Sequence, residues 1–250
     1  MDRLYGLLLL TGLYPWWRAW RATTGTTLRG PLVWLLTAWL WWVGMAVGPG
    51  GREGHYVGLC LLGAAGVAVL GARRPGAAAW NGVVGGLLAA LALPLVQGMG
   101  ALRAEPAQLL FLAAVLAVGV GNYVPTRLGA AALALGGWAG VELAVLADWL
   151  DELPTWWGVW LAGVPWLGLA SRPGGGGDAL DRCWQRFRDG YGIVWAQRVS
   201  EQYARAAEAA GLAVELRWHG VQGEAGQRER SLELLRAVLR RFGSTATEQV

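Results

Sequence analysis

Over its first 170 residues the chain alternates long apolar runs with short polar segments, and the remainder is mixed in polarity. Six of the runs approach or reach the length that crosses a bilayer as a helix, about 17–25 residues. They cover residues 31–48, 56–72, 77–97, 107–124, 128–147 and 155–170. The pattern therefore predicts an all-α membrane protein whose transmembrane domain, residues 31–170, is a bundle of six transmembrane helices.

The segments between these runs alternate between basic and non-basic. Arginine accumulates before the first span, after the second and before the fifth, at positions Arg18, Arg21, Arg29, Arg73, Arg74 and Arg127. In the intervening loops arginine is cancelled by glutamate or absent. Because cytoplasmic loops carry the excess of positive charge, we expect a multi-pass protein of the cytoplasmic (inner) membrane with both termini in the cytoplasm.

The N-terminal segment, residues 1–30, is expected to lie at the membrane interface. Residues 4–14 are mostly apolar, but eleven residues of helix reach only about 16 Å. Tryptophans follow next to Arg18 and Arg21, a combination typical of the headgroup layer. The alternative is a seventh span, which would place the N terminus outside.

The C-terminal part consists of a glycine-rich linker, residues 171–177, and a domain over residues 178–250. Apolar periodicity predicts helices over 178–210, bent at 190–192, and over 228–241. Residues 212–218 alternate as a strand does. Since a strand needs a partner for its backbone groups, either the chain turns back into a hairpin or another chain pairs with it; a helical tail packed on the membrane face is the third alternative. The prediction is a small α-rich cytoplasmic domain with at most one or two short strands.

Composition favours a membrane protein and excludes several activities. Only 15% of the residues are charged, against about 25% in soluble domains. All 21 basic residues are arginine, so phosphate loops and Schiff-base chemistry, which need lysine, are excluded. A lysine-free chain with 17 tryptophans and abundant alanine and glycine is typical of a GC-rich bacterial genome. The net charge of +4 is too small to argue for nucleic acid.

Few residues suit catalysis or metal binding. The four serines all lie outside the spans, which excludes an intramembrane serine protease. The two histidines, His55 and His219, are predicted on opposite sides of the bilayer, so no histidine-based metal site is expected within one chain. We therefore expect no cofactor, and a protein that is not an enzyme.

Two polar residues lie inside the apolar runs, and both are candidate intramembrane sites. Glu142 is in the fifth span and Asn81 is near the start of the third. A carboxylate inside a membrane is costly and suggests a proton relay or an ion site. Alternatively, Glu142 lies close enough to the outer end of its span to reach interfacial water or to pair with Arg52 or Arg103.

A second polar group is predicted at the inner face, in the tight turn between the fourth and fifth spans. Asn122, Tyr123 and Arg127 belong to it. Asn122 can cap the turn, and Arg127 can extend to the cytoplasmic headgroups. A pocket for an anionic headgroup or a docking point for the C-terminal domain is the alternative.

The C-terminal domain carries a face rich in aromatic residues and arginine. Its members are Trp184, Phe187, Arg188, Tyr191, Trp195 and Arg198. Such residues serve as interface anchors in protein complexes and also bind anionic lipid. We therefore expect a non-catalytic scaffold or assembly component that binds the lipid bilayer and docks a cytoplasmic protein, lipid or a second copy in a homo-oligomer. The alternative is a small transporter or channel-like protein that uses Glu142 as its intramembrane acid.

Overall fold

The structure is a computed structural model that describes residues 3–48, 51–97, 102, 104–154, 156–171, 178–223 and 225–243. The described residues form a mostly helical protein with one small sheet. An apolar helical bundle comprises the described residues up to 171. A more polar C-terminal region follows and packs on one end of the bundle.

The chain begins with two short helices, α1 (Arg3–Thr11) and α2 (Leu13–Ala22), and then turns back into α3 (Arg29–Val47). Gly6 lies beside Val47 at the far end of α3. Further along, Trp39 Nε1 donates to the Leu9 carbonyl at 3.0 Å and Trp16 Nε1 to the Leu32 carbonyl at 3.1 Å. Residues 3–22 therefore run antiparallel to α3 over its whole length.

This course bears on the N-terminal segment, residues 1–30, which was predicted to lie at the membrane interface, with a seventh span as the alternative. Two successive helices totalling about 20 residues extend roughly 30 Å, which matches the 19-residue α3. Neither α1 nor α2 is long enough alone, but end to end they have the length of a span. The seventh span, which the sequence left open as the alternative, requires the apolar part and the tryptophan-rich part to be joined in this way.

The rest of the bundle consists of six helices and one 3-10 turn. They are α4 (Arg52–Ala68), the turn Val69–Gly71, α5 (Ala77–Leu91), α6 (Leu93–Gln97), α7 (Pro106–Gly121), α8 (Gly129–Leu146) and α9 (Trp157–Ala170). The interruption between α5 and α6 precedes Pro94, which has no N–H to continue the ladder. Tyr56 Oη donates to the Leu91 carbonyl at 2.7 Å, so a neighbouring helix binds a carbonyl at the break.

α4 occupies the centre of the bundle, packed against α3, α5, α7 and α8. Its buried face is rich in glycine and alanine, and small residues let helix backbones approach closely. The closest approach joins α4 to α7, where a Cβ added to Gly66 would lie 2.8 Å from the Cα of Gly119.

Four helical segments are long and apolar enough to cross a membrane. They are Arg29–Val47, Arg52–Gly71, Ala77–Gln97 and Gly129–Leu146. α7 and α9 are also apolar but shorter, with 16 and 14 residues. Each of the six predicted spans thus contains an apolar helix, and four of them meet this length criterion.

The C-terminal region is built on one long helix, α10 (Ala179–Ala209), and a shorter one, α11 (Arg228–Leu239). α10 is kinked at Gly192, whose φ of 78° is not helical. Between the helices, strands β1 (Val214–Arg217) and β2 (Gly220–Gly223) pair antiparallel. The expectation of one or two short strands is confirmed, and of the alternatives left open the hairpin is the one that forms.

Candidate functional site

Glu142 is buried in the bundle, with only 1% of its surface exposed. Trp157 Nε1, at the start of α9, donates to Glu142 Oε1 at 2.7 Å. His55 Nδ1, in the first turn of α4, lies 2.7 Å from Glu142 Oε2. One carboxylate thus joins three helices, and both of its oxygens are hydrogen-bonded.

Aromatic rings surround this carboxylate. Trp138 stacks on Trp157 with ring centroids 5.6 Å apart, and Trp42 and Trp138 pack edge to face with ring centroids 4.6 Å apart. The ring of Tyr5, from α1, lies against Gly158. Rings at these separations pack directly on one another, and this cluster of rings beside Glu142 is called the aromatic box below.

Some hydrogen-bond donors of the aromatic box have no acceptor among the described residues. The indole nitrogens of Trp42 and Trp138 are buried and have no hydrogen-bond partner within the described residues. The indole of Trp157 donates to the carboxylate, and His55 Nδ1 lies within hydrogen-bond distance of its other oxygen.

His55 connects this buried group to the end of the bundle. Its side chain is 16% exposed, against 2% for the side chain of Glu142. At the same end, Arg52 pairs with Asp148 at 2.5 Å and also donates to the Leu146 carbonyl. The arginine hydrogen bonds hold the pKa of Asp148 below its usual value.

Glu142 was predicted from the sequence as a candidate site, but its hydrogen-bond partners were not. The sequence suggested Arg52 or Arg103 for an ion pair, and Arg52 pairs with Asp148 instead, while Arg103 lies outside the described residues. His55 was considered only for metal binding. The sequence does place His55 and Glu142 near the same end of their spans, but only the structure shows that α4 and α8 are neighbours.

Asn81 is not part of the Glu142 site. It lies on an exposed face of α5, and its Oδ1 accepts a hydrogen bond from Trp34 Nε1 at 3.3 Å. The two candidate intramembrane residues are therefore not brought together. Within the described ranges no group of three His, Cys, Asp or Glu residues is placed to hold a metal ion.

The inner-face cluster contacts the kink of α10. Asn122, at 2% exposure, accepts hydrogen bonds from the backbone N–H groups of Ile193 and Val194 at 2.8 and 3.2 Å, and its side-chain amide donates to the Tyr191 carbonyl at 3.2 Å. The polar groups that the kink at Gly192 frees from the helix ladder are thus bonded by one asparagine.

Tyr123 and Arg127 extend the same joint. Tyr123 Oη donates to the Gly190 carbonyl at 2.9 Å. Arg127 Nε lies 3.4 Å from Asp189 Oδ2, and its guanidinium also donates to Gln185. All three residues of the cluster therefore contact the C-terminal region.

The aromatic–arginine face of α10 points inward. Trp184, Phe187, Arg188, Tyr191 and Trp195 are each at most 5% exposed, whereas Arg198 is exposed. The four aromatic residues form the core of the C-terminal region together with Leu235, Leu239 and Phe242. These large side chains do not form a free surface on this chain.

Two of these side chains also bind the bundle directly. Trp195 Nε1 donates to the Val69 carbonyl at 3.0 Å. Tyr191 Oη lies 3.0 Å from Thr27 Oγ1, and Thr27 donates in turn to the Ala72 carbonyl at 2.6 Å. Burial raises the pKa of Tyr191 to about 12, so its phenol is neutral near pH 7.

The surroundings of Glu142 differ from this joint in one respect that matters for function. The joint consists mainly of neutral hydrogen bonds to backbone, which suit a fixed attachment. The Glu142–His55 pair consists of two groups that both exchange protons.

No protein-family model, curated protein or solved structure matches this chain.

Proposed function

We propose that this chain is a multi-pass protein of the bacterial cytoplasmic membrane whose bundle binds and releases a proton at the Glu142–His55 pair. It would act as a small proton-coupled transporter. The observation that carries the proposal is a carboxylate 1% exposed in an apolar bundle and hydrogen-bonded to an imidazole at 2.7 Å.

The membrane placement rests on the apolar helices together with the arginine bias. The arginine-rich end of the bundle is the end that binds the C-terminal region, through Thr27, Ala72 and Asn122. This arrangement supports a cytoplasmic C-terminal region, because cytoplasmic loops carry the excess of positive charge. Because residues 3–22 run antiparallel along α3, we propose seven crossings, with the N terminus outside. This replaces six spans with both termini in the cytoplasm.

The proton argument follows from the cost of charge. A protonated Glu142 beside neutral His55, and a carboxylate beside an imidazolium, are both neutral overall and suit the aromatic surroundings. Besides Glu142 and His55, Tyr5 is a titratable side chain beside the aromatic box. Release of the proton leaves a buried negative charge, which a new proton or another cation must neutralise. That requirement couples proton movement to cargo in membrane transporters.

Access to this pair is one-sided. His55 is partly exposed at the outer end of α4, whereas Glu142 is enclosed. A proton from the outer side would therefore reach Glu142 through the imidazole, which can accept it on one nitrogen and donate from the other.

The proposal is tested by infrared titration of the purified protein together with Glu142→Gln. Glutamine keeps the shape and an oxygen for the Trp157 N–H but cannot bind the proton. We expect a buried carboxyl band that changes with pH in the wild type and is absent from Glu142→Gln. In proteoliposomes, proton flux driven by a pH gradient should likewise be lost.

Glu233→Gln is the matched control, since Glu233 is exposed on α11. It should leave both signals unchanged. If Glu142→Gln folds, melts like the wild type and shows the same infrared titration and flux, the pair is a structural bracket and the proposal is wrong.

A second candidate function is the non-catalytic scaffold, which would bind its partner through a surface other than the aromatic–arginine face of α10. A shallow groove opens beside the end of α10 and β1, lined in part by Ala204, Leu212 and Val214. We propose that, in this case, the groove docks a cytoplasmic partner or a second copy. Leu212→Arg should then abolish the complex in cross-linking of intact membranes, whereas Glu142→Gln should not. An unchanged cross-linking pattern would contradict this candidate.

A further inference from the structure

Three arginines at the cytoplasmic end of the bundle have no carboxylate partner within the described residues. They are Arg18 and Arg21 on α2 and Arg29 at the start of α3. The sequence contains no acidic residue between Asp2 and Glu53. Unlike Arg52 or Arg127, these guanidinium groups are therefore not neutralised by their own part of the chain.

Aromatic rings stack on two of these three guanidinium groups. The Cζ of Arg21 lies 5.1 Å from the ring centroid of Trp17, and that of Arg29 lies 4.7 Å from the ring of Trp20. Cation–π stacking of this kind orients a guanidinium without neutralising its charge. Arg29 also has a buried Nε without a partner among the described residues.

The arginines continue an exposed aromatic strip down the side of the bundle. Tyr14 and Trp17 lie one turn before Arg18 and Arg21 on the same face of α2, and they are 46% and 45% exposed. Arg18 donates to the Tyr14 hydroxyl at 3.4 Å. The strip thus passes from apolar rings to positive charge along the helix, as the bilayer passes from acyl chains to phosphate.

We propose that Arg18, Arg21 and Arg29, with Trp17, form a binding site for the headgroup of an anionic phospholipid in the cytoplasmic leaflet. Guanidinium groups bind phosphate oxygens in bidentate fashion, and the exposed rings cover the upper acyl chains. A lipid is favoured over an acidic peptide because the strip lies on the lateral face of an apolar bundle. The proposal rests on the membrane placement proposed above but not on the proton pair.

The test measures binding of phosphatidylglycerol to the detergent-purified protein by native mass spectrometry, with phosphatidylcholine of the same acyl chains as reference. The test variant carries Arg18→Gln, Arg21→Gln and Arg29→Gln. Each arginine near an anionic membrane surface contributes about 1 kcal/mol, so phosphatidylglycerol should bind on the order of 100-fold more weakly to this variant. Binding of phosphatidylcholine should not change.

The matched control removes three exposed arginines of the C-terminal region through Arg205→Gln, Arg217→Gln and Arg230→Gln. It has the same net charge as the test variant and should bind phosphatidylglycerol as the wild type does. Equal loss in both variants would mean general charge attraction and would overturn the site, as would no loss in either. Equal binding of glycerophosphate without acyl chains would also overturn it.

The proton proposal can fail independently of this one. Glu142→Gln should bind phosphatidylglycerol normally, because Glu142 lies at the other end of the bundle. If Glu142→Gln binds phosphatidylglycerol as the wild type does and also shows the infrared titration of the wild type, the proton pair is rejected and the lipid site is retained.

Discussion

The side chain of Asn122 lies against the Cα of Gly192, and this contact joins the α7–α8 turn of the bundle to the kink of α10. The kink has a φ of 78°, which L side chains rarely adopt. A Cβ at this position would also overlap the asparagine amide. The two halves of the protein are therefore joined at a position that only glycine fits.

Gly192→Ala should be strongly destabilising for the attachment of the C-terminal region. The backbone strain alone costs about 1–3 kcal/mol, and the overlap with Asn122 adds to it. Gly211→Ala is the matched control, because Gly211 has a similar φ of 66° but no atom within 4 Å of the added Cβ. Unfolding in detergent measures both, and equal losses would show that the contact with Asn122 contributes nothing.

The hydrogen bond from Trp157 to Glu142 should contribute measurably to the free energy of unfolding of the bundle. Trp157→Phe keeps an aromatic ring but leaves a buried carboxylate oxygen unpaired, which costs about 1–3 kcal/mol. Trp138→Phe makes the same change in a buried indole whose N–H has no described partner. We expect Trp157→Phe to lower the free energy of unfolding by the larger amount. The opposite order would show that ring packing outweighs the hydrogen bond.

The antiparallel course of residues 3–22 predicts that the N terminus faces the outside. Leu4→Cys, at an exposed position, should react with a membrane-impermeant maleimide added to intact cells. Ser171→Cys, at the opposite end of the bundle, should react only after the membrane is opened. The two native cysteines are buried, so background labelling should be low. Protection of Leu4→Cys in intact cells would restore the interfacial arrangement.

The C-terminal region should lose stability in acid partly through Asp178. Desolvation raises the pKa of this carboxyl, but hydrogen bonds from the Asp181 N–H and from Arg228 outweigh it and hold the pKa below its usual value. A depressed folded-state pKa adds stability above the unfolded value of about 3.9, and this stability is lost as the pH falls through the folded value.

Asp178→Asn should therefore be less stable than the wild type near neutral pH, and the difference should shrink below about pH 4. The midpoint of unfolding, followed through the fluorescence of the C-terminal tryptophans, measures it. Asp151→Asn, in an exposed loop of the bundle, should have no such effect. A difference that persists unchanged in acid would show that Asp178 acts as a neutral hydrogen-bond acceptor only.

Sequence periodicity predicted the positions of most helices of this protein and of its first strand. Apolar runs and the charge pattern located the helices α3 to α9, and strict alternation located β1, because these signals depend on neighbours in the chain. The kink in α10 was also predicted, since Gly190 and Gly192 mark it locally. The course of α1 and α2 was left open, because a short apolar run followed by tryptophans fits both an interfacial helix and a span.

Which faces meet could be decided only by the tertiary structure. Trp184 and Tyr191 have the same periodicity whether they dock a partner or form a core, and it is the packing of α11 and of the bundle that buries them. The pairing of Glu142 with His55 joins residues 87 positions apart. No spacing in the sequence encodes that contact, because it depends on α4 and α8 lying side by side with the same ends aligned.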